Sequence, residues 1–360
     1  MEDYLADCLP KLSVLMVTYN HEKYIRQAVQ SALDQVTTFP IEIVIGEDCS
    51  TDRTRDILLE MKQAHPNKVR LHLREKNIGP QLNQAATFAA CRGEYVAMLE
   101  GDDYWTDSSK LQKQVDALEA HPRWSMCFHT TRRVYQDGSR EPELYPAVWD
   151  REEATIDDLF HSNFMNTCSI VFRNGLFGPL PSWHREISPG DWATSMLNAD
   201  HGPIGYVPGV MADYRIHSHG LWSRSTRTYQ LTEILRCLSQ IDHHFRGKYR
   251  TQIDGYRIRL VESLVAECES LQAKVEEANT HYARLQQKTN EDGEIGLRRQ
   301  EREAEVCAPY SAMGLEQERD RPYEAARRRS SGAEWVRKVM RPMENFARRS
   351  RQAIGLSARS

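Results

Sequence analysis

No stretch of this 360-residue chain approaches the roughly 20 consecutive apolar residues of a membrane-spanning helix. Its eight cysteines (Cys8, Cys49, Cys91, Cys127, Cys168, Cys237, Cys268 and Cys307) contain no C-x-x-C pair. That argues against a zinc site or a disulfide framework and fits a reducing compartment. Charge of one sign is also missing. The 47 Lys and Arg stand against 51 Asp and Glu, a net charge of −4, which gives no global reason to expect nucleic acid. No G-x-G-x-x-G follows the first strand candidate and no G-x-x-x-x-G-K-[ST] occurs, so the usual dinucleotide and P-loop readings fail. The opening "MEDYLADCLP" is acidic and lacks the layout of a signal peptide, so a cytoplasmic location is expected.

What is present is an alternation of periodicities. Short apolar runs at Leu12–Val17, Ile41–Gly46, Val69–Leu73 and Tyr95–Leu99 predict strands. Between them, Glu22–Gln35 (with Ile25, Val29 and Leu33 at helical spacing), Thr51–His65 and Gln81–Arg92 predict helices, with Ser50 or Thr51 as the second helix's N-cap. The order implies a mostly parallel sheet covered by helices, in which ligands bind at the C-terminal ends of the strands. Polar clusters fall at those ends: "TYNHE" (Thr18–Glu22), "EDCSTD" (Glu47–Asp52) and "EGDD" (Glu100–Asp103). Further on, Tyr145–Asp150 reads as a connection, Ser169–Phe172 as a strand, Gly190–Gly202 as a helix and Ile204–His217 as an extended, hairpin-like segment. From Leu231 the pattern is helical. Val261, Leu264, Cys268, Leu271, Val275, Ala278, Tyr282 and Leu285 follow the 3-and-4 spacing of a short coiled-coil seam, which would support a homo-oligomer.

Glu100, Asp102 and Asp103 end a core strand, and burying three carboxylates there is costly unless a cation sits among them. Hard divalent cations take oxygen ligands and bridge carboxylates to phosphates. The stretches "LSVLMVTYNHEKYIRQAVQSAL", "VIGEDCSTDRTRDIL", "NIGPQLNQA", "GEYVAMLEGDDYW" and "VMADYRIHSHGLWS" together resemble family-2 glycosyltransferases of the GT-A fold over about residues 10 to 225. The resemblance implies an α/β, GT-A-type sheet flanked by helices and followed by a helical or coiled-coil appendage. It implies a nucleotide-sugar site at Thr18, Tyr19, Asn20, Glu47, Asp48, Asn77, Glu100 and Asp102, with Asp48 facing a uracil-type N–H. Asp102 or Asp103, with His217 (His219 being the near alternative), would hold Mn²⁺ or Mg²⁺. Asp191, in "SPGDWATSML", takes the place of the catalytic carboxylate.

The chemistry fits those roles. A bound cation stabilises charge developing on the leaving diphosphate. One carboxylate takes the proton of the attacking hydroxyl, and a single base without a second nucleophile predicts inversion. Trp105 and Trp222 are acceptor candidates, since saccharides stack on aromatic faces. The expected organisation is a GT-A domain at 1–225, a helical region at 226–290 and a charged, poorly ordered tail at 291–360. The expected partners are a nucleotide-sugar donor, most simply a UDP-sugar, and a saccharide, lipid-linked or protein acceptor. Residues Arg327–Ser360 carry ten Arg or Lys against two Glu, with Trp335, Val336, Val339, Met340, Met343 and Phe346 between them. That pattern suits peripheral contact with an anionic membrane as well as a solvated tail.

Two other classes compete. A nucleotidyltransferase would show a glycine-rich basic loop after the first strand, which "TYNHEKY" is not. A non-catalytic nucleotide-sugar-binding scaffold would retain the acids without turnover; the single Asp191 leaves room for it, and the intact Asp102, Asp103 and His217 argue against it.

Overall fold

The computed structural model describes residues 9–220 and 222–291, with side chains to residue 285. The basic tail from residue 292 therefore lies outside the described residues, as do Cys8 and Cys307. The chain divides into two units, residues 1–256 and 257–360, the second described only to residue 291.

The first unit is built on one ten-stranded mixed sheet. β1 (Leu12–Thr18), β2 (Ile41–Glu47), β3 (Val69–Leu73) and β4 (Tyr95–Met98) are parallel, in the order β3-β2-β1-β4. β1 and β4 are buried on both faces, which is why they read as unbroken apolar runs without alternation. Beyond β4 the sheet continues through β9 (Val171–Arg173), β6 (Met126–Tyr135), β10 (Ile204–Ile216) and β5 (Tyr104–Trp105). β9 is antiparallel to both neighbours, while β6 and β10 are parallel to each other. β7 (Glu143–Tyr145) and β8 (Glu153–Ala154) add short antiparallel edges to β6 and β10. Helices α1 (Ile25–Leu33), α2 (Thr54–Ala64), α3 (Pro80–Phe88) and α4 (Lys110–Ala120) connect the first strands. α5 (Ile156–Leu159), α6 (Gly190–Ala199) and α7 (Arg227–His244) follow. Val14, Met16, Ile43, Ile45 and Ala97 join Ile25, Val29, Leu58 and Leu111 in a single apolar core.

The first two helices begin later than their apolar spacing predicts. The amide hydrogens of His21 and Glu22 donate to Thr54 Oγ1 (2.8 Å) and Asp52 Oδ2 (3.0 Å), so the chain there forms a cross-loop clasp. The clasp is reciprocal. The amides of Thr51 and Arg53 donate to Asn20 Oδ1 (2.8 Å) and Glu22 Oε2 (3.0 Å), which delays α2 to Thr54. Neither Ser50 nor Thr51 is therefore the cap; Arg53 occupies that position, and Asp52 takes the Thr54 amide instead.

Two further differences concern the second half. Ile204–Ile216 is not a hairpin but one 13-residue strand, with its register against β6 broken between Tyr206 and Val210 and again between Val210 and Asp213. Pro208 and Gly209 fall within the first of these breaks, with Gly209 at φ +132°. α4 and β6 have no counterpart in the sequence reading. β6 buries His129, Thr130 and Thr131 at its centre, so neither an apolar run nor an alternation marks it.

In the second unit, the described part is the continuation of α8 (Arg250–Glu291). There Leu271, Val275 and Tyr282 of the heptad seam are exposed. No helix among the described residues is long and apolar enough to cross a membrane.

Candidate active site

The turn after β4 brings the acids together. One carboxylate oxygen from each of Glu100, Asp102 and Asp103 lies within 4.8 Å of the others. The turn can approach β1 this closely because residue 101 is glycine: a Cβ there would stand 2.5 Å from Thr18 Oγ1 and 2.9 Å from His21 Nδ1. Gly101→Ala is expected to push the acidic turn off β1 and cost about 1–3 kcal/mol of stability, read by chemical denaturation.

Each acid has a different environment. Asp102 Oδ2 is 3.0 Å from His217 Nε2 and 3.6 Å from His21 Nε2. Burial pushes its carboxyl up, but the His21 and His217 rings outweigh that and hold Asp102 below the ordinary range. His217 Nδ1 accepts the His219 amide (3.3 Å), which directs its Nε2–H at Asp102. Asp103 Oδ1 accepts the Arg215 amide (2.8 Å), while Oδ2 is buried without a normal partner, the nearby Cys168 thiol being a weak donor. Burial first, and then the charge of Asp102, raises Asp103 well above its ordinary value. Glu100 is also raised well above its ordinary value, by burial and then by Asp102, Asp103 and Asp191.

Asp191 reaches this group from another direction. It lies in the first turn of α6, and the Thr167 hydroxyl donates to its Oδ2 at 3.1 Å. Burial raises its pKa against the hydrogen bonds from the helix start and Thr167. The Tyr214 phenol is held well above its ordinary value, by burial and then by Asp103, Glu100, Asp102 and Asp191 together, so all four carboxylates face one region. An all-carboxylate donor set with an unpartnered buried oxygen suits a hard divalent cation. His217 is positioned to ligate it only by exchanging its bond to Asp102, or otherwise to orient Asp102 as an outer partner.

The nucleotide-side residues divide. Tyr19 stands exposed (38%) at the end of β1. Asn77 is exposed in the loop before α3. Thr18 is buried beside His21 Nδ1 (3.2 Å), and Asn20, at φ +56°, holds the 50–51 loop through Ser50 Oγ and the Thr51 amide. Asp48 accepts the amides of Ile78 (2.8 Å) and Gly79 (2.9 Å), tying the β3–α3 loop to β2. Beside that loop lies an open cleft of about 580 Å³ lined by Leu73, Arg74, Glu75, Lys76 and Ile78.

Two expected site residues are corrected. Glu47 is fully buried, with one oxygen on the Ser50 amide and the other on the Arg55 guanidinium, so it orders the loop rather than facing a ligand. Trp105 is 4% exposed; its indole N–H donates to the Cys168 carbonyl (2.9 Å) and Lys110 Nζ covers its ring at 4.2 Å, leaving no face for a saccharide. Trp222 is half-buried, just before α7.

The sequence reading missed His21, Thr167, Tyr214 and Arg215. Arg215 is buried; its guanidinium donates to the Asp102 carbonyl and Gln27 Oε1 and lies over the Tyr104 ring (4.3 Å). His21 and Arg215 lie inside the stretches "TYNHE" and "YRIHSH" and were open to notice. Thr167 carries no local signal.

Residues 13–176 match the family model described as Glycosyl transferase family 2. A Bacillus subtilis protein, named a putative teichuronic acid biosynthesis glycosyltransferase TuaG, is 37% identical over 227 residues, covering 61% of this chain and 86% of that protein. The chain belongs to glycosyl transferase family 2. An uncharacterized protein of Mycobacterium tuberculosis is 41% identical to this glycosyltransferase over 247 residues, covering 66% of this chain and 70% of the other. The mannosyltransferase PcManGT from Pyrobaculum calidifontis, solved in complex with GDP-Man and Mn²⁺, shares the glycosyltransferase's fold. Its TM-score is 0.54 at 17% identity, covering 75% of this chain and 76% of that one.

Proposed function

We propose that this glycosyltransferase moves a sugar, with inversion, from a nucleotide donor to a hydroxyl of a growing polysaccharide, using a divalent cation held by Asp102 or Asp103. The observation that carries the reading is the convergence of Glu100, Asp102, Asp103 and Asp191 on one region, with Asp103 Oδ2 unpartnered. Three acids after β4 suit the cation and the diphosphate, and a fourth, on a separate element, suits the base. When bound, the cation would neutralise charge on the departing diphosphate. His217 and His21 hold Asp102 ionised for that purpose.

The donor would enter over the ends of β1 to β3, where Tyr19, Asp48, Asn77 and the cleft beside Arg74 provide an aromatic face and polar groups. UDP is the first candidate because Asp48 takes the position that, in the resemblance, meets a pyrimidine N–H; it is buried with both oxygens on backbone amides, and each oxygen keeps a second lone pair. The name of the Bacillus subtilis relative supports a polysaccharide acceptor. The complex of the Pyrobaculum calidifontis structure makes GDP and Mn²⁺ the necessary comparison.

Calorimetric titration of UDP and GDP tests this, first with Mn²⁺ and then with EDTA. One nucleotide is expected to bind only with the metal, and Asp102→Asn is expected to abolish that binding. Absence of binding by either nucleotide under both conditions would sink the donor reading, and binding untouched by EDTA would remove the cation from it.

A further inference from the structure

Arg133, on β6, carries a guanidinium that the protein leaves largely unused. Its neighbour Arg132 commits its fork to Asp213, with Nε and Nη2 donating at 2.9 and 2.6 Å. Arg215 is likewise engaged by Asp102 and Gln27. Arg133 differs from both. Its Nη2 reaches Asn166 Oδ1 only at 3.5 Å, Glu143 lies 3.8 Å from Nη1, and Nε is buried with no hydrogen-bond partner among the described residues. The guanidinium carbon lies 3.5 Å from the centre of the Tyr145 ring and the side chain also hydrogen-bonds that phenol, contacts that fix its orientation and leave the rest of the fork. The side chain is 27% exposed, so the fork is held but reachable.

Its position connects it to the reaction. Asn166 directly precedes Thr167, whose hydroxyl donates to Asp191. The Tyr145 phenol, raised by burial and lowered by Arg133, is also raised by the charge of Asp191, which places the ring near that carboxylate. Among the described residues no ion pair joins Arg133 to Asp191, so this cation does not neutralise the proposed base. β6 is separated from β4 by β9, away from the ends of β1 to β3 where the donor would enter.

We propose that Arg133 is an anion subsite for the acceptor: its guanidinium takes, through a forked pair of hydrogen bonds, a carboxylate or phosphate carried by the acceptor saccharide close to the attacking hydroxyl. A planar five-donor fork matches such groups, and a neutral hydroxyl uses it poorly. The proposal rests on Asp191 being the base, and it makes this enzyme selective for acidic acceptors.

Ligand-observed NMR on the full chain tests it with methyl β-glucuronide, glucose 6-phosphate and methyl β-glucoside, each with and without UDP and Mn²⁺. At least one anionic probe is expected to bind roughly tenfold or more tighter than the neutral glucoside. Which one binds identifies the source of the charge. Arg133→Gln is expected to erase the preference while UDP affinity stays within about twofold of wild type. Arg133→Lys keeps the charge and stem but loses the fork, so it should retain only part of the preference; it carries the test if the Gln variant melts early. Equal binding of anionic and neutral probes, or a preference that survives Arg133→Gln, overturns the subsite. A parallel loss of UDP and glucuronide binding in the variant overturns it too, by moving Arg133 to the donor. A wild-type chain that binds no UDP but still prefers the anionic probe would instead count against the donor reading alone.

Discussion

Asp191→Asn is expected to lower kcat by about 10²- to 10⁴-fold, the usual contribution of a positioned general base, while leaving nucleotide binding intact. The separation follows from where Asp191 sits. It belongs to α6, whereas the three acids of the β4 turn belong to another element, so removing it leaves the cation set complete. Two opposing effects act on its basicity. A helix N-terminus favours the ionised form, and burial disfavours it. Burial prevails, and the folded pKa lies above the ordinary aspartate value. A base works only when deprotonated, so the acid limb of the rate profile should lie above the ordinary aspartate value, with activity rising as pH passes through it. The asparagine variant should lose that limb together with the rate. If instead kcat survives and only stability falls, Asp191 is a helix-start residue and the base lies elsewhere.

Adding Mn²⁺ or Mg²⁺ is expected to raise the melting temperature, and more at pH 7.5 than at pH 5. Glu100 and Asp103 have folded pKa values above their unfolded ones. In the metal-free chain the stability they contribute is therefore full below the ordinary carboxylate range and is lost as pH rises through their raised values. A cation reverses that loss where the acids are ionised, and does little where they are protonated. At a concentration of about one hundred times Kd the gain is about 2.7 kcal/mol, or about 5–10 °C for a unit of this size. Asp102→Asn should flatten the response, since it removes the acid held most firmly ionised. Scanning fluorimetry at the two pH values decides the matter: a melting temperature indifferent to both metals at both pH values would leave the acids without a cation.

The first half of the fold was legible because its strands are buried on both faces, so that "LSVLMV" and "IEIVIG" stand out as apolar runs. The same visibility located the acid turn, since polar residues at the end of such a run are conspicuous. The second half was harder for a physical reason. β6 packs His129, Thr130 and Thr131 into the interior, and β10 absorbs a Pro-Gly step, so both contradict the local patterns that identify strands. α4, by contrast, carries Leu111, Val115 and Leu118 at ordinary helical spacing. In the site, residue type alone could not separate Glu47 from Asp48. Their difference is Arg55, eight residues on, which claims Glu47 once α2 is folded. Trp105 was misplaced for a similar reason: an aromatic beside acids suggests a ligand platform until Lys110 and the Cys168 carbonyl are seen to enclose it.

The two breaks in the pairing of β10 have a consequence for how this site can change. Ile204–Tyr206 stay in step with Met126–Phe128, and Asp213–Ile216 stay in step with Arg132–Tyr135. The strand thus consists of two separately indexed halves, one anchored in the foundations and one delivering Arg215 and, just beyond, His217 to the acids. Adjacent strand residues point to opposite faces, so gaining or losing one residue at positions 207–209 would shift the frame of the second half alone. Tyr214 and Arg215 would then exchange faces, taking the phenol from the four carboxylates and the guanidinium from the Asp102 carbonyl, while Ile204–Tyr206 keep their pairing. The irregular segment is the position at which a single codon inserted or deleted exchanges the whole polar inventory of this wall.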